Sequence, residues 1–173
     1  MKSDIPPLFP DSYYHIYNRG INGETIFKQE RNYPYFLEKY AKYIPCVADT
    51  LAYCLLGNHF HLLIRTKGQN EILASQDIGP DNKKVSLDGK SVLEQSSWLV
   101  SNAFSSLFKS YSQSINKDFH RTGALFERPF RRKEVTNGHY LAKVIYYIHA
   151  NPQKHGFCSD FRDYAHSSYH VHY

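Results

Sequence analysis

The feature that most constrains the fold is an apolar stretch, residues 55–64, that two histidines interrupt. Its sequence, Leu-Leu-Gly-Asn-His-Phe-His-Leu-Leu-Ile, predicts a buried β-strand. Because successive strand side chains point to opposite faces, His59 and His61 share one face, and Phe60 and Leu62 take the other. Two imidazoles about 7 Å apart on a stiff strand can hold one metal ion between them. The alternative is a pair of hydrogen-bonded histidines on a half-buried strand.

The size and charge of the chain limit the classes of protein it can be. A length of 173 residues predicts a single domain, residues 1–173, large enough to bury a core. A net charge of +5 and a pI of about 9.0 favour a polyanionic partner. Three cysteines without metal-like spacing indicate reduced thiols in a cytoplasmic protein. We expect no signal peptide and no membrane span, because no apolar run is long enough.

The hydrophobic patterning predicts alternating strands and helices. The predicted strands are 13–18, 51–56, 59–65, 123–126 and 131–135; the predicted helices are 32–43, 93–116 and 138–150, the last ending at Asn151-Pro152. Gly57-Asn58 is the predicted turn before the histidine strand, with a turn near Asp49 as an equal alternative. Residues 66–92 form a polar insertion loop. This order predicts an α+β fold: a ferredoxin-like βαββαβ sandwich with an antiparallel sheet and an appended C-terminal helix.

A basic segment, residues 120–134, interleaves arginines and a lysine with Phe126 and Phe130. One interpretation is a solvated edge strand whose charges prevent aggregation. The other is a nucleic-acid track, with cations on phosphates and rings available for base stacking. The basic pI favours the second interpretation.

The last predicted helix carries a tyrosine at the border of its apolar face. Leu141, Val144, Ile145 and Ile148 cluster on the side that should face the core. At 100° per residue Tyr147 lies beside them, with Lys143 one turn before it and Asn151 one turn after it, whereas Tyr146 points away. An interfacial packing tyrosine is the alternative to a functional one.

Four segments, in this order, resemble the single-tyrosine transposases that carry a His-hydrophobic-His motif, and in particular the REP-associated tyrosine transposases. Their sequences are Tyr14-His15-Ile16-Tyr17-Asn18-Arg19-Gly20, Leu56-Gly57-Asn58-His59-Phe60-His61, Arg121-Thr122-Gly123-Ala124-Leu125-Phe126 and Tyr147-Ile148-His149-Ala150-Asn151-Pro152-Gln153-Lys154-His155-Gly156. They resemble the family's first strand, metal strand, basic strand and catalytic helix, and together they extend over most of the chain.

The resemblance implies a role for each matching residue. His59 and His61 would bind a divalent metal ion, Mg or Mn, with Asn151 as an amide-type third ligand. Tyr147 would be the nucleophile, and the C-terminal helix would be the catalytic helix. The candidate DNA-binding residues, which rest more on charge than on motif, are Arg19, Arg65, Arg121, Arg128, Arg131, Arg132, Lys133 and Lys143.

The activity that the resemblance implies is a metal-dependent endonuclease and strand transferase acting on single-stranded DNA that contains a hairpin. Tyrosine attack would give a 5′-phosphotyrosine intermediate and a free 3′-hydroxyl, which conserves the bond energy for DNA transposition and recombination. Related transposases are dimers that share active sites, whereas the REP-associated type is able to work as a monomer. The resemblance therefore leaves open whether this chain forms a homodimer.

Two other functions compete with this one. A non-catalytic module that recognises DNA hairpins predicts binding without a covalent adduct or a metal requirement. A metal-dependent hydrolase, using His59 and His61 to activate water, predicts turnover without Tyr147. The sequence disfavours the hydrolase, because no acidic ligand or general base is spaced near the histidines.

Overall fold

The structure is a computed structural model that describes residues 5–75 and 89–172. Four of the five predicted strands and all three predicted helices are present, with one additional short helix. In chain order the elements are β1 (Tyr13–Arg19), α1 (Asn32–Tyr43), β2 (Ala48–Leu56), β3 (His59–Thr66), α2 (Gln69–Ala74), α3 (Val92–Asp118), β4 (Arg131–Glu134) and α4 (Gly138–Lys154). Among these residues, no helix is both long and apolar enough to cross a membrane.

The four strands form one antiparallel sheet in the order β2-β3-β1-β4. β1 and β3 are its central strands, and Tyr17 pairs with His61 in their register. This is the strand order of the split βαβ arrangement, so the predicted ferredoxin-like α+β fold is confirmed. The Gly57-Asn58 turn joining β2 to β3 is confirmed as well, while Asp49 lies inside β2 rather than in a turn.

The two faces of the sheet carry separate apolar clusters. Phe60 and its same-face neighbours pack under α1 and α3, where Phe36 lies 5.3 Å from the Phe60 ring, centroid to centroid. On the opposite face, Val144 and Ile148 of α4 pack with residues such as Leu63. The appended helix therefore covers the face that carries the histidines, and this packing positions the candidate site.

Two predictions about the second half of the chain are wrong. Residues 123–126 do not form a strand; Phe126 makes only an isolated bridge with Gly20. Phe126 and Phe130 are buried in the α3-side cluster, so their rings are not available as stacking platforms. The spacing of aromatic and charged residues along the sequence does not show which side chains are buried. Here both rings are buried in the core.

Two element boundaries also differ from the prediction. α4 does not stop before Pro152 but continues to Lys154. Asn151 and Pro152 are buried there, so tertiary packing outweighs the hydrogen bond that a proline removes near a helix end. The predicted insertion loop is not wholly a loop, because Gln69–Ala74 forms a helix with Ile72 buried; residues 76–88 lie outside the described part of the chain.

Candidate functional site

The central strands β1 and β3 together place three imidazoles on the face that α4 covers. His59 and His61 share this face as predicted, with ring centroids 5.3 Å apart. β1 contributes a third ring: Nε2 of His15 lies 2.9 Å from Nδ1 of His61, and the two nitrogens share a buried hydrogen bond. The central strands β1 and β3 hold these rings on a rigid support.

α4 brings Tyr147 and Asn151 to the same place. The ring of Tyr147 lies 5.4 Å from that of His61 and 5.9 Å from that of His15, centroid to centroid, and it is 37% exposed. Asn151, one turn on, is only 1% exposed. Its Nδ2 donates to the Tyr147 carbonyl at 3.4 Å, while its Oδ1 is buried with no hydrogen-bond partner among the described residues. The tyrosine and the histidines thus meet within one chain.

Hydrogen bonds determine which nitrogen of His59 is free. Its Nδ1 lies 2.7 Å from Oδ1 of Asn58, and Nδ2 of Asn58 donates to the Gly23 carbonyl at 3.4 Å. The second contact fixes the orientation of the amide, so the atom facing His59 is an acceptor and Nδ1 must carry the proton. The Nε2 lone pair of His59 is therefore the one that could bind a metal ion.

Burial keeps the histidines neutral. It lowers the pKa of His15 to about 4 and that of His61 to about 2; nearby Lys133 adds to the first shift, and neighbouring histidines to the second. Burial lowers the pKa of His59 too, although the Asn151 side chain opposes this shift. A neutral imidazole keeps the lone pair that metal coordination requires.

The donors at this site fit a divalent metal ion. Two imidazole nitrogens with one amide oxygen suit Mn, or Mg when water and phosphate oxygens complete the shell. The unpartnered Oδ1 of buried Asn151 fits this assignment, because buried polar atoms normally have a partner. Residues 5–75 and 89–172 contain no group of three or more His, Cys, Asp and Glu side chains that could hold a metal. A site with three protein ligands here therefore requires the side-chain amide of Asn151.

The basic residues of β4 divide between the two faces of the sheet. Lys133 pairs with His15 and Arg131 with Tyr17, so both share the histidine face. Arg131 also lines a cleft of about 730 Å³ beside His59 and His61. Arg132 lies on the other face, against α3, where its Nη1 donates to Ser101 at 2.7 Å.

The other cations predicted to bind DNA are placed differently. Arg19 pairs with Glu127 at 2.5 Å, at the site end of β1. Arg65 pairs with Asp11 at the far end of β3, roughly 20 Å along the strand from His59. Arg121 forms an ion pair with Glu24, and both side chains are partly exposed.

Two further cations have no ion pair among the described residues. Arg128 lines a groove beside α3, and Lys143 is exposed on α4.

Sequence reasoning missed two residues of this site. His15 lies within the segment that resembles the family's first strand, but only the β1–β3 register shows that it contacts His61. His155 follows α4, and its ring lies 5.1 Å from that of His59. An alternating His-x-Tyr pattern in the first strand is the signal that could have indicated His15.

Comparison with solved structures shows a shared fold. The chain is similar to a structure described as the REP-associated tyrosine transposase bound to a REP hairpin, with a TM-score of 0.65 and 14% sequence identity. The match covers 99% of this chain and 84% of the other. No protein-family model and no curated protein matches the sequence. The resemblance to the REP-associated tyrosine transposases, drawn from four motifs, is therefore confirmed at the level of the fold.

Proposed function

We propose that this chain is a transposase: a single-strand DNA endonuclease and strand transferase with Tyr147 as its nucleophile. The observation that carries the proposal is the contact of the Tyr147 ring with His61, on the sheet face that also carries His59. Both the structural neighbour, a transposase described as bound to a REP hairpin, and the net charge of +5 support DNA as the substrate.

In the proposed reaction, the Tyr147 hydroxyl gives up its proton and its oxygen bonds to the scissile phosphorus. The bond from phosphorus to the 3′-oxygen breaks, and that oxygen leaves as a 3′-hydroxyl after taking a proton. The DNA 5′-phosphate stays on the tyrosine, and a second 3′-hydroxyl reverses the step at a new junction. Strand transfer then needs no external energy source.

The proposed metal ligands are Nε2 of His59, His61 and Oδ1 of Asn151. A divalent ion held by these ligands would neutralise charge on the non-bridging phosphate oxygens. Arg131 and Lys133, on the same sheet face, hold the neighbouring phosphates. Because one chain brings Tyr147 to the histidines, we infer that a monomer can assemble the complete site.

The test uses a DNA hairpin with unpaired extensions, labelled at the 5′ or the 3′ end. After incubation with Mn or Mg, a denaturing protein gel detects label attached to the polypeptide. We expect an adduct that carries the 3′-side fragment and disappears with chelator or in Tyr147→Phe. Tyr146→Phe is the matched control, because Tyr146 is 66% exposed and points away from the sheet.

The alternatives give different results. Hairpin binding without any adduct would indicate a non-catalytic DNA-binding module. Cleavage that survives Tyr147→Phe would indicate a hydrolase that activates water. His59→Ala should abolish cleavage and leave hairpin binding largely intact.

A further inference from the structure

A second concave surface lies on the face of the sheet opposite the histidines, beside β4 and α3. It is a groove of about 900 Å³ between α3 and the segment 123–132. One wall of the groove is formed by small side chains of α3, namely Ser101, Ser105 and Ser112. Phe108 contributes to its apolar floor. The candidate active site does not use this groove.

The groove holds a cation without an acidic partner. Arg132 is only partly exposed, its guanidinium lies 4.4 Å over the ring of Phe130, and it forms no ion pair within the described residues. Its Nε is buried and also lacks a hydrogen-bond partner there. Burial lowers the pKa of Arg132, which reflects the cost of holding this charge away from water. Such a cation is expected where an anion completes the site.

The other charged residues that line the groove leave it net positive. Lys109 and Arg128 also line it, and its carboxylate, that of Glu127, is already paired with Arg19. Asn18 and Glu127 line both this groove and the cleft that contains His59. The two concave surfaces therefore meet at one boundary.

We propose that this groove binds the unpaired DNA strand next to the scissile phosphate, with phosphates at the cations and sugars and bases over the apolar floor. The strand then passes Asn18 and Glu127 to reach the histidines. A single strand fits the chemistry, because the faces of its bases are free to contact apolar walls, whereas in a duplex those faces are stacked on one another. The inference rests on the proposed function and adds a path for the substrate.

The first test places 4-thiothymidine at successive unpaired positions of the hairpin DNA and maps photo-crosslinks by mass spectrometry, with the Tyr147 adduct assayed in parallel. We expect at least one position to label residues 105–113 or 128–132. Crosslinks confined to the histidine face, with the adduct present, overturn the groove and leave the proposed function intact. Crosslinks in the groove without an adduct support the groove and refute the catalytic function.

The second test is the salt dependence of binding to hairpins with and without the unpaired extension. Lys109→Ala should lower the slope of log K against log salt by about 0.7 for the extended hairpin, as expected for one lost single-strand phosphate contact. The blunt hairpin should show no change. Lys117→Ala, on the same helix but outside the groove, is the matched control. Equal slopes for the wild type and Lys109→Ala refute the inference.

Discussion

Replacing His15 tests whether this buried histidine determines which nitrogen of His61 is free to bind a metal ion. Nε2 of His15 lies 2.9 Å from Nδ1 of His61, and His15 is only 9% exposed, so the bond is largely removed from water. If His61 binds metal through Nε2, its proton must be on Nδ1 and His15 must accept it. His15→Phe keeps a ring but removes the acceptor, whereas His15→Gln restores one.

The size of the effect on metal binding follows from the burial of the His61–His15 hydrogen bond. A buried N–H without an acceptor costs about 1–3 kcal/mol, and His61 avoids this cost by moving its proton to Nε2, which removes the lone pair. Loss of a partner that orients a ligand typically weakens metal binding by 10- to 100-fold, or about 1.4–2.7 kcal/mol, in the same range. We therefore expect His15→Phe to weaken Mn binding at least tenfold and His15→Gln to recover most of it.

Two measurements check this prediction. Titration followed by the electron paramagnetic resonance of free Mn gives the affinity, and ¹⁵N spectra of the imidazoles report the tautomer of His61. His139→Phe, at an exposed position on α4, is the control for loss of a histidine. If His15→Phe binds Mn like the wild type and the His61 tautomer is unchanged, the reasoning is refuted.

Three further predictions concern stability, each measured by urea unfolding. The His15 pKa of about 4 lies below the ordinary 6.5, so the unfolded chain binds more protons between these values. His15 alone should therefore remove about 2 kcal/mol from the free energy of unfolding between about pH 7 and about pH 5, and His15→Gln should lose that much less over the same range. Tyr111→Phe should cost about 1–2 kcal/mol and spare DNA binding, because the buried Tyr111 hydroxyl donates to the Ile26 carbonyl at 2.9 Å. Arg121→Gln should cost about 2 kcal/mol through lost charge-assisted bonds to Glu24 and change DNA affinity little; a large loss of affinity at unchanged stability would contradict this.

Local patterns in the sequence predict much of the fold but not the contacts between distant segments. Strand alternation places His59 and His61 on one face, and helical periodicity puts Tyr147 at the edge of the apolar stripe; both are confirmed. The partner of His61 is 46 residues away on β1, and only the register of the two strands identifies it. Register depends on packing across the whole sheet, which no local window contains.

The same distinction explains which cations we expect to act on DNA. The eight candidates rest mainly on charge, but charge along a sequence does not say which carboxylates the fold brings near. Arg121 is paired with Glu24, 97 residues away, whereas Arg132 is held over an aromatic ring and has no acidic partner in the described part of the chain. Partial burial of a cation costs desolvation free energy, and a nearby anion offsets that cost. For Arg121 the protein supplies the anion, so we infer a structural role; for Arg132 we infer that a phosphate supplies it, so its contribution should depend on the substrate.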